Sequence, residues 1–209
     1  MKIPKPSPID HPNLSHSMEK TDAVDSKTWE RFKEGDEDAF IQIYQEYFVS
    51  LYKYGSQFTR SRDIIKDVIQ DLFIDLRRQR NRLVIARIKP YLFVSFRRRL
   101  ILKLKSQSKE LALDAETMNG YDFTVEVSNE RKIIDQQQQE IDQARLKSAI
   151  EKLPDRQREA IYLYYFENLS YQEMKEMMAL KDIKSARNLI YKAINSMRDI
   201  ILGIVLCFY

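Results

Sequence analysis

Apolar side chains recur at steps of three and four along most of this chain. Phe40, Ile43, Tyr44, Tyr47, Phe48, Leu51 and Tyr54 form one stripe, which predicts an amphipathic helix from an Asp36 N-cap to about Gly55. Ser61 can cap a second helix, in which Ile64, Ile65, Val68, Ile69, Leu72, Phe73 and Leu76 share a face. A third begins near Lys89, where Pro90 is tolerated in the first turn, and runs to about Lys105 with Leu92, Phe93, Phe96, Leu100 and Leu104 on its core side. Periodicity is poor from 106 to about 129 and the segment to 142 is polar, so 106–142 is expected to be a linker, helical toward its end. A short helix follows over 144–152, and Pro154 suits the start of another that is strongly apolar as far as Asn168. Ser170-Tyr171-Gln172-Glu173 is an S-x-x-E capping box directly before Met174, Met177 and Met178. After a break at 179–182, Ile183, Ala186, Leu189, Ile190, Ala193, Ile194, Met197 and Ile201 trace a longer helix. Short helix, tight turn and longer helix make a helix-turn-helix.

The expected fold is therefore all-α, with two small helical domains joined by a flexible linker and a helix-turn-helix in the second. The boundaries are a tail over 1–26, a domain over 27–105, the linker over 106–142 and a domain over 143–209. Composition agrees, since a sheet protein needs turn residues every ~8–12 positions. The chain has 209 residues with 4 Gly and 6 Pro, and four of those prolines (Pro4, Pro6, Pro8, Pro12) lie in the tail. The single cysteine, Cys207, cannot form an internal disulfide, and no export signal is visible, so a cytoplasmic location is expected. His11 and His16 both fall in the tail, without a cysteine or third histidine beside them, and no metal site or cofactor is expected.

The net charge of +4 changes meaning when divided along the chain. Residues 76–109 hold 12 basic and 0 acidic side chains, whereas 110–143 hold 2 and 9. Such a basic run repels itself unless a polyanion or an acidic partner neutralises it, and interleaved arginines and aromatics point to nucleic acid. Within it, Arg80, Arg82, Lys89, Arg97 and Arg98 can hold a backbone while Tyr91 stacks on unpaired bases. On the second helix Asp63, Asp67, Asp71 and Asp75 are each four residues apart, so they stack on one face, with Gln70 beside them. A solvated face, a docking surface for a basic partner and a Mg²⁺-diphosphate site are the three readings of that ladder. The last would need a second acidic helix, and none is visible. On the last helix Lys184, Ser185, Arg187, Asn188, Tyr191 and Lys192 face outward, the residue types that meet phosphates and base edges. There is no nucleophile elbow, no phosphate-binding glycine loop and no histidine in an ordered segment, so no catalytic residues are assigned and an enzyme is not expected.

The order of DIIKDVIQDLFIDL, KPYLFVSFRRRLILKLK, a linker and LPDRQREAIYLYYFENLSYQEMKEMM resembles the extracytoplasmic-function (ECF) class of bacterial sigma factors. The likeness spans roughly 36–105 and 144–200. It implies sigma region 2 and sigma region 4 joined by a linker. It further implies that Asp63, Asp67, Gln70, Asp71 and Asp75 dock on the β′ clamp helices of core RNA polymerase, with the β flap as a further contact. Residues 80–98 would read the −10 promoter element as single strand, and Lys184 to Lys192 would read the −35 element. An anti-sigma factor is a further candidate partner. The chain departs from the family at Arg97-Arg98, where many members have Arg-Asn, and at Lys175 and Ala179, where a small alanine and a turn glycine are usual, so an altered turn is expected. A stand-alone helix-turn-helix regulator and a protein adaptor remain as alternatives. The apolar end, IILGIVLCFY, is too short to span a bilayer, which takes ~20 residues. It either packs on the last domain or meets a partner.

Overall fold

The computed structural model describes residues 27–85, 87–107, 121–125 and 136–206. The expected tail with its two histidines, most of the linker, and 207–209 with Cys207 lie outside the described residues. Among those described there is no β-strand.

A helix over 27–34 (α1) buries Trp29 and Phe32 and ends at Gly35, whose φ of +98° suits a residue without Cβ. Asp36 Oδ1 then accepts from the amides of Asp38 (2.9 Å) and Ala39 (3.2 Å), starting α2 (Glu37–Ser56). Those bonds and Arg31 hold the Asp36 carboxyl below its ordinary pKa. Ser61 starts α3 (Arg62–Gln79) with a longer cap bond, 3.5 Å from the Ile64 amide. The third helix, α4, is Ile88–Gln107. Ile43, Tyr47 and Leu51 of α2 meet Ile65, Ile69 and Leu72 of α3 and Leu92, Phe96 and Leu100 of α4 in one bundle core. At Gly55 the helices approach too closely for a side chain, since a Cβ would lie 2.8 Å from Phe96 and 2.9 Å from Ile65.

The second half comprises α5 (Gln136–Glu151), α6 (Asp155–Ile161), α7 (Tyr171–Met177) and α8 (Ile183–Leu206). Pro154 is the N-cap of α6 rather than its first residue. After Ile161 the helix widens into a π turn over Tyr162–Phe166, and α8 packs across α5, α6 and α7. The capping box forms in full: Ser170 Oγ accepts from the Glu173 amide, and the Glu173 carboxylate accepts from the Ser170 amide at 2.7 Å. The altered turn is visible at Ala179, which takes the left-handed region at φ +49°. Asp182 caps α8, accepting from the Ser185 amide (2.6 Å) and hydroxyl (2.7 Å), which lowers its pKa.

Two findings alter the sequence expectations. The helix expected over 144–152 begins earlier, at Gln136. And part of the expected linker is packed: in Tyr121–Val125, Phe123 and Val125 are buried while Asp122 and Thr124 are exposed. Phe123 meets Tyr54, Phe58 and Tyr162 at ring separations of 6.0, 4.9 and 5.9 Å. The Thr124 amide donates to the Gln57 carbonyl at 2.7 Å, and the Phe123 amide to Asp155 at 3.3 Å. This segment stitches the end of α2 to the start of α6, and α4 lies against α7, so the two halves share one core.

Candidate nucleic-acid interface

On α3, Asp63, Asp67, Gln70 and Asp71 are exposed, as the four-residue spacing predicts. Asp75 differs: it is half-buried and turned toward α4, where it accepts from Arg99 at 2.8 Å, with Arg78 at 3.8 Å. The carboxylates that remain exposed are therefore the first three of the ladder.

The basic segment divides into open and engaged residues. Arg82 and Arg98 are exposed, Tyr91 is half-buried, and the half-buried Arg80 lies over Gly35, where a Cβ would come within 3.3 Å of its guanidinium. Lys89 and Arg97, expected to face nucleic acid, instead meet the C-terminal domain. Lys89 Nζ donates to the Glu167 carbonyl at 2.7 Å, with the Glu167 carboxylate at 3.8 Å. Arg97 is 2% exposed and donates through Nε to Glu159 Oε1 (2.6 Å) and through Nη2 to Oε2 (3.0 Å). That corrects the expectation of an open Arg97. It lies four residues after Phe93 and three before Leu100, so it points with the apolar face and requires a buried anion.

Glu159 supplies that anion from α6, itself 0% exposed. Its two oxygens also accept from the Tyr54 hydroxyl (2.5 Å) and the Tyr121 hydroxyl, so four donors fill the roughly four lone-pair sites of a carboxylate. The Arg97 guanidinium lies 5.0 Å from the Tyr121 ring centre, an added cation–π contact. Burial disfavours the Arg97 charge, but Glu159 outweighs it and holds the group well above its ordinary pKa. Burial and the neighbouring carboxylate push both Tyr54 and Tyr121 upward, so both stay protonated donors. Glu167 is raised by burial against the opposing pull of Lys89. A third link joins Arg87 to Glu173 at 2.9 Å.

On α8, Lys184, Arg187, Asn188, Tyr191 and Lys192 are exposed, and the Arg187 guanidinium sits 5.5 Å from the Tyr171 ring centre. Ser185 is half-buried, its hydroxyl donated to Asp182. The face is open, cationic and carried by a capped helix, a form able to enter a major groove. Sequence reasoning missed Tyr54, Tyr121, Glu159, Glu167 and Glu173 as members of an inter-domain cluster. The legible signal was charge on an apolar stripe, at Arg97 within FVSFRRRL and at Glu159 before AIYLYYF.

Residues 143–197 match the family model described as Sigma-70, region 4. Over 141 residues the chain is 25% identical to the ECF RNA polymerase sigma factor SigM of Bacillus subtilis (strain 168), covering 68% of this chain and 82% of that protein. In fold it is similar to CnrH in a solved complex with the cytosolic domain of CnrY, with a TM-score of 0.56, 18% identity, and coverage of 86% of this chain and 97% of CnrH. Among the described residues no helix is long and apolar enough to cross a membrane.

Proposed function

We propose that the chain is a sigma factor of the extracytoplasmic-function class, which binds core RNA polymerase and directs promoter-specific transcription initiation without doing chemistry itself. The domain over 27–105 docks on the β′ clamp helices through Asp63, Asp67, Gln70 and Asp71, and its α4 takes the −10 element as single strand. The domain over 143–209 reads the −35 element through the outer face of α8. The observation that carries this reading is the exposed carboxylate row on α3. Like charges at this spacing cost an isolated helix a few tenths of a kcal/mol each, and Asp63, Asp67 and Asp71 have no ion pair among the described residues that offsets the cost. A basic partner offsets it. CnrH is bound to a domain of another protein, which supports a protein regulator of the anti-sigma kind as a further partner here. A cytoplasmic location goes with that role.

Reconstitution with core polymerase tests the proposal. A stable complex and a promoter-specific run-off transcript are expected, and Asp67→Lys with Asp71→Lys should weaken the complex at least tenfold while helicity is unchanged. No complex and no transcript would sink it. Tight duplex binding without polymerase, and no transcript, would favour the stand-alone regulator.

A further inference from the structure

The basic segment of α4 and its approach has no acid of its own, and the acids that meet it come from elsewhere in the fold. Glu37 pairs with Arg77, and Asp75 with Arg78 and Arg99, all within the N-terminal bundle. Three further pairs cross to the C-terminal domain, in antiparallel order: Arg97 to Glu159, Lys89 to Glu167 and Arg87 to Glu173. The carboxylates come from α6, from just after the π turn and from α7, so three separate elements present a row of negative charge along one helix. We propose that this row is an internal substitute for nucleic acid: Glu159, Glu167 and Glu173 occupy the cations with which α4 would hold a single strand, and the chain must unclasp before α4 can bind DNA. The identity of α4's ligand rests on the sigma-factor reading; the clasp rests on the pairs themselves.

Length gives an independent reason for opening. Elements named −10 and −35 lie about 25 base pairs apart, or ~85 Å at 3.4 Å per pair. A compact chain of this size has a radius of gyration of about 17 Å, hence a diameter of roughly 45 Å. With α4 packed on α7, the two readers cannot reach both elements. Residues 108–135 reach about 95 Å when extended, which suffices by itself once Tyr121–Val125 leaves its place. While Thr124 stays on Gln57, the residues from 126 to 135 reach only about 35 Å. Release of that five-residue segment more than doubles the length of free tether between the two domains. Closure is also one-sided, because Lys184, Arg187, Asn188 and Lys192 on α8 stay exposed while Lys89 and Arg97 are held. The closed chain keeps its duplex reader and withholds its single-strand reader.

The test uses the free full-length chain, with small-angle scattering for its size and a short fluorescent single-stranded DNA for α4. A duplex of the same length serves as control for α8. Glu159→Gln should raise the radius of gyration and tighten single-strand binding about tenfold or more, the factor lost by a chain that is competent in one molecule of ten or fewer. Duplex binding should hold within about twofold on the same arithmetic. Arg97→Gln should expand the chain without the gain in single-strand binding. Glu173→Gln preserves the capping box, since glutamine serves at that position, and should shift both readouts in the same direction by a smaller factor. It therefore keeps the proposal testable if Glu159→Gln fails to fold. An unchanged size and affinity in the glutamine variants would overturn the clasp, and so would expansion with no gain in single-strand binding. Because this test uses no polymerase, a chain that expands and gains single-strand binding here, yet gives no run-off transcript in the separate reconstitution with core polymerase, would count against the sigma-factor role and for the clasp.

Discussion

A double-mutant cycle on Arg97 and Glu159 measures what the buried pair contributes to the closed chain. Glu159→Leu removes the acceptor of four donors and leaves the Arg97 side chain, 3% exposed, without an anion. Breaking one side of a buried pair costs about 3–5 kcal/mol. The orphaned Tyr54 hydroxyl adds about 1–3 kcal/mol. Arg97→Leu leaves Glu159 buried with two tyrosine donors, which places it near the lower end of the same 3–5 kcal/mol range, roughly 3. With both replaced by leucine no charge remains buried, and such exchanges are often neutral or stabilising by about 1–4 kcal/mol. The two tyrosine hydroxyls still lack their acceptor, so the double variant should remain about 1–4 kcal/mol below the parent. The singles, about 4–8 and about 3 kcal/mol, together then exceed the double by at least about 3 kcal/mol, the upper end of the couplings found between contacting residues. Urea unfolding followed by the fluorescence of buried Trp29 and by circular dichroism provides the four free energies. Additivity within about 0.5 kcal/mol would refute the argument, because sites that do not interact add to that tolerance.

Three other outcomes are expected. Phe123→Ala should cost about 3–5 kcal/mol in thermal or urea unfolding, as a fully buried ring in the middle of an aromatic cluster, whereas an unpacked linker residue would cost almost nothing. Ala179→Gly should stabilise the helix-turn-helix by up to about 1 kcal/mol, because the left-handed backbone there penalises a Cβ; a loss of stability on denaturant titration would contradict this. Burial raises the Glu167 carboxyl above 4.5, so its contribution is fully present below that pH and declines as pH rises through the higher folded value. Glu167→Gln should remove that part of the pH dependence, and an identical slope of stability against pH in parent and variant would refute it.

The helices were legible because their signals are local. Asp36, Ser61 and the Ser170–Glu173 box each announce a start within three residues, and each forms. The start of α5 was legible only as a linker end with helical character, since its first turn is QQQQ and polar all round. Tyr121–Val125 carries a period-two pattern, apolar at 121, 123 and 125, but five residues inside a −7 segment are too few to outweigh that charge without knowing what they pack against. The same limit applies to the site. Exposure of Asp67 or Arg187 follows from helical spacing alone. The fate of Arg97 depends on Glu159, 62 residues further on, and no local pattern brings the two together.

The burial of the Arg97–Glu159 pair makes the chain's state depend on ionic strength in one direction. Salt screens exposed charges and favours release of nucleic acid, whose affinity falls steeply as counterions compete for its phosphates. A pair closed off from water is screened far less. If the clasp competes with nucleic acid as proposed, added salt weakens the competitor and leaves the central link of the closed form almost untouched, so high ionic strength favours the closed chain and low ionic strength favours exchange.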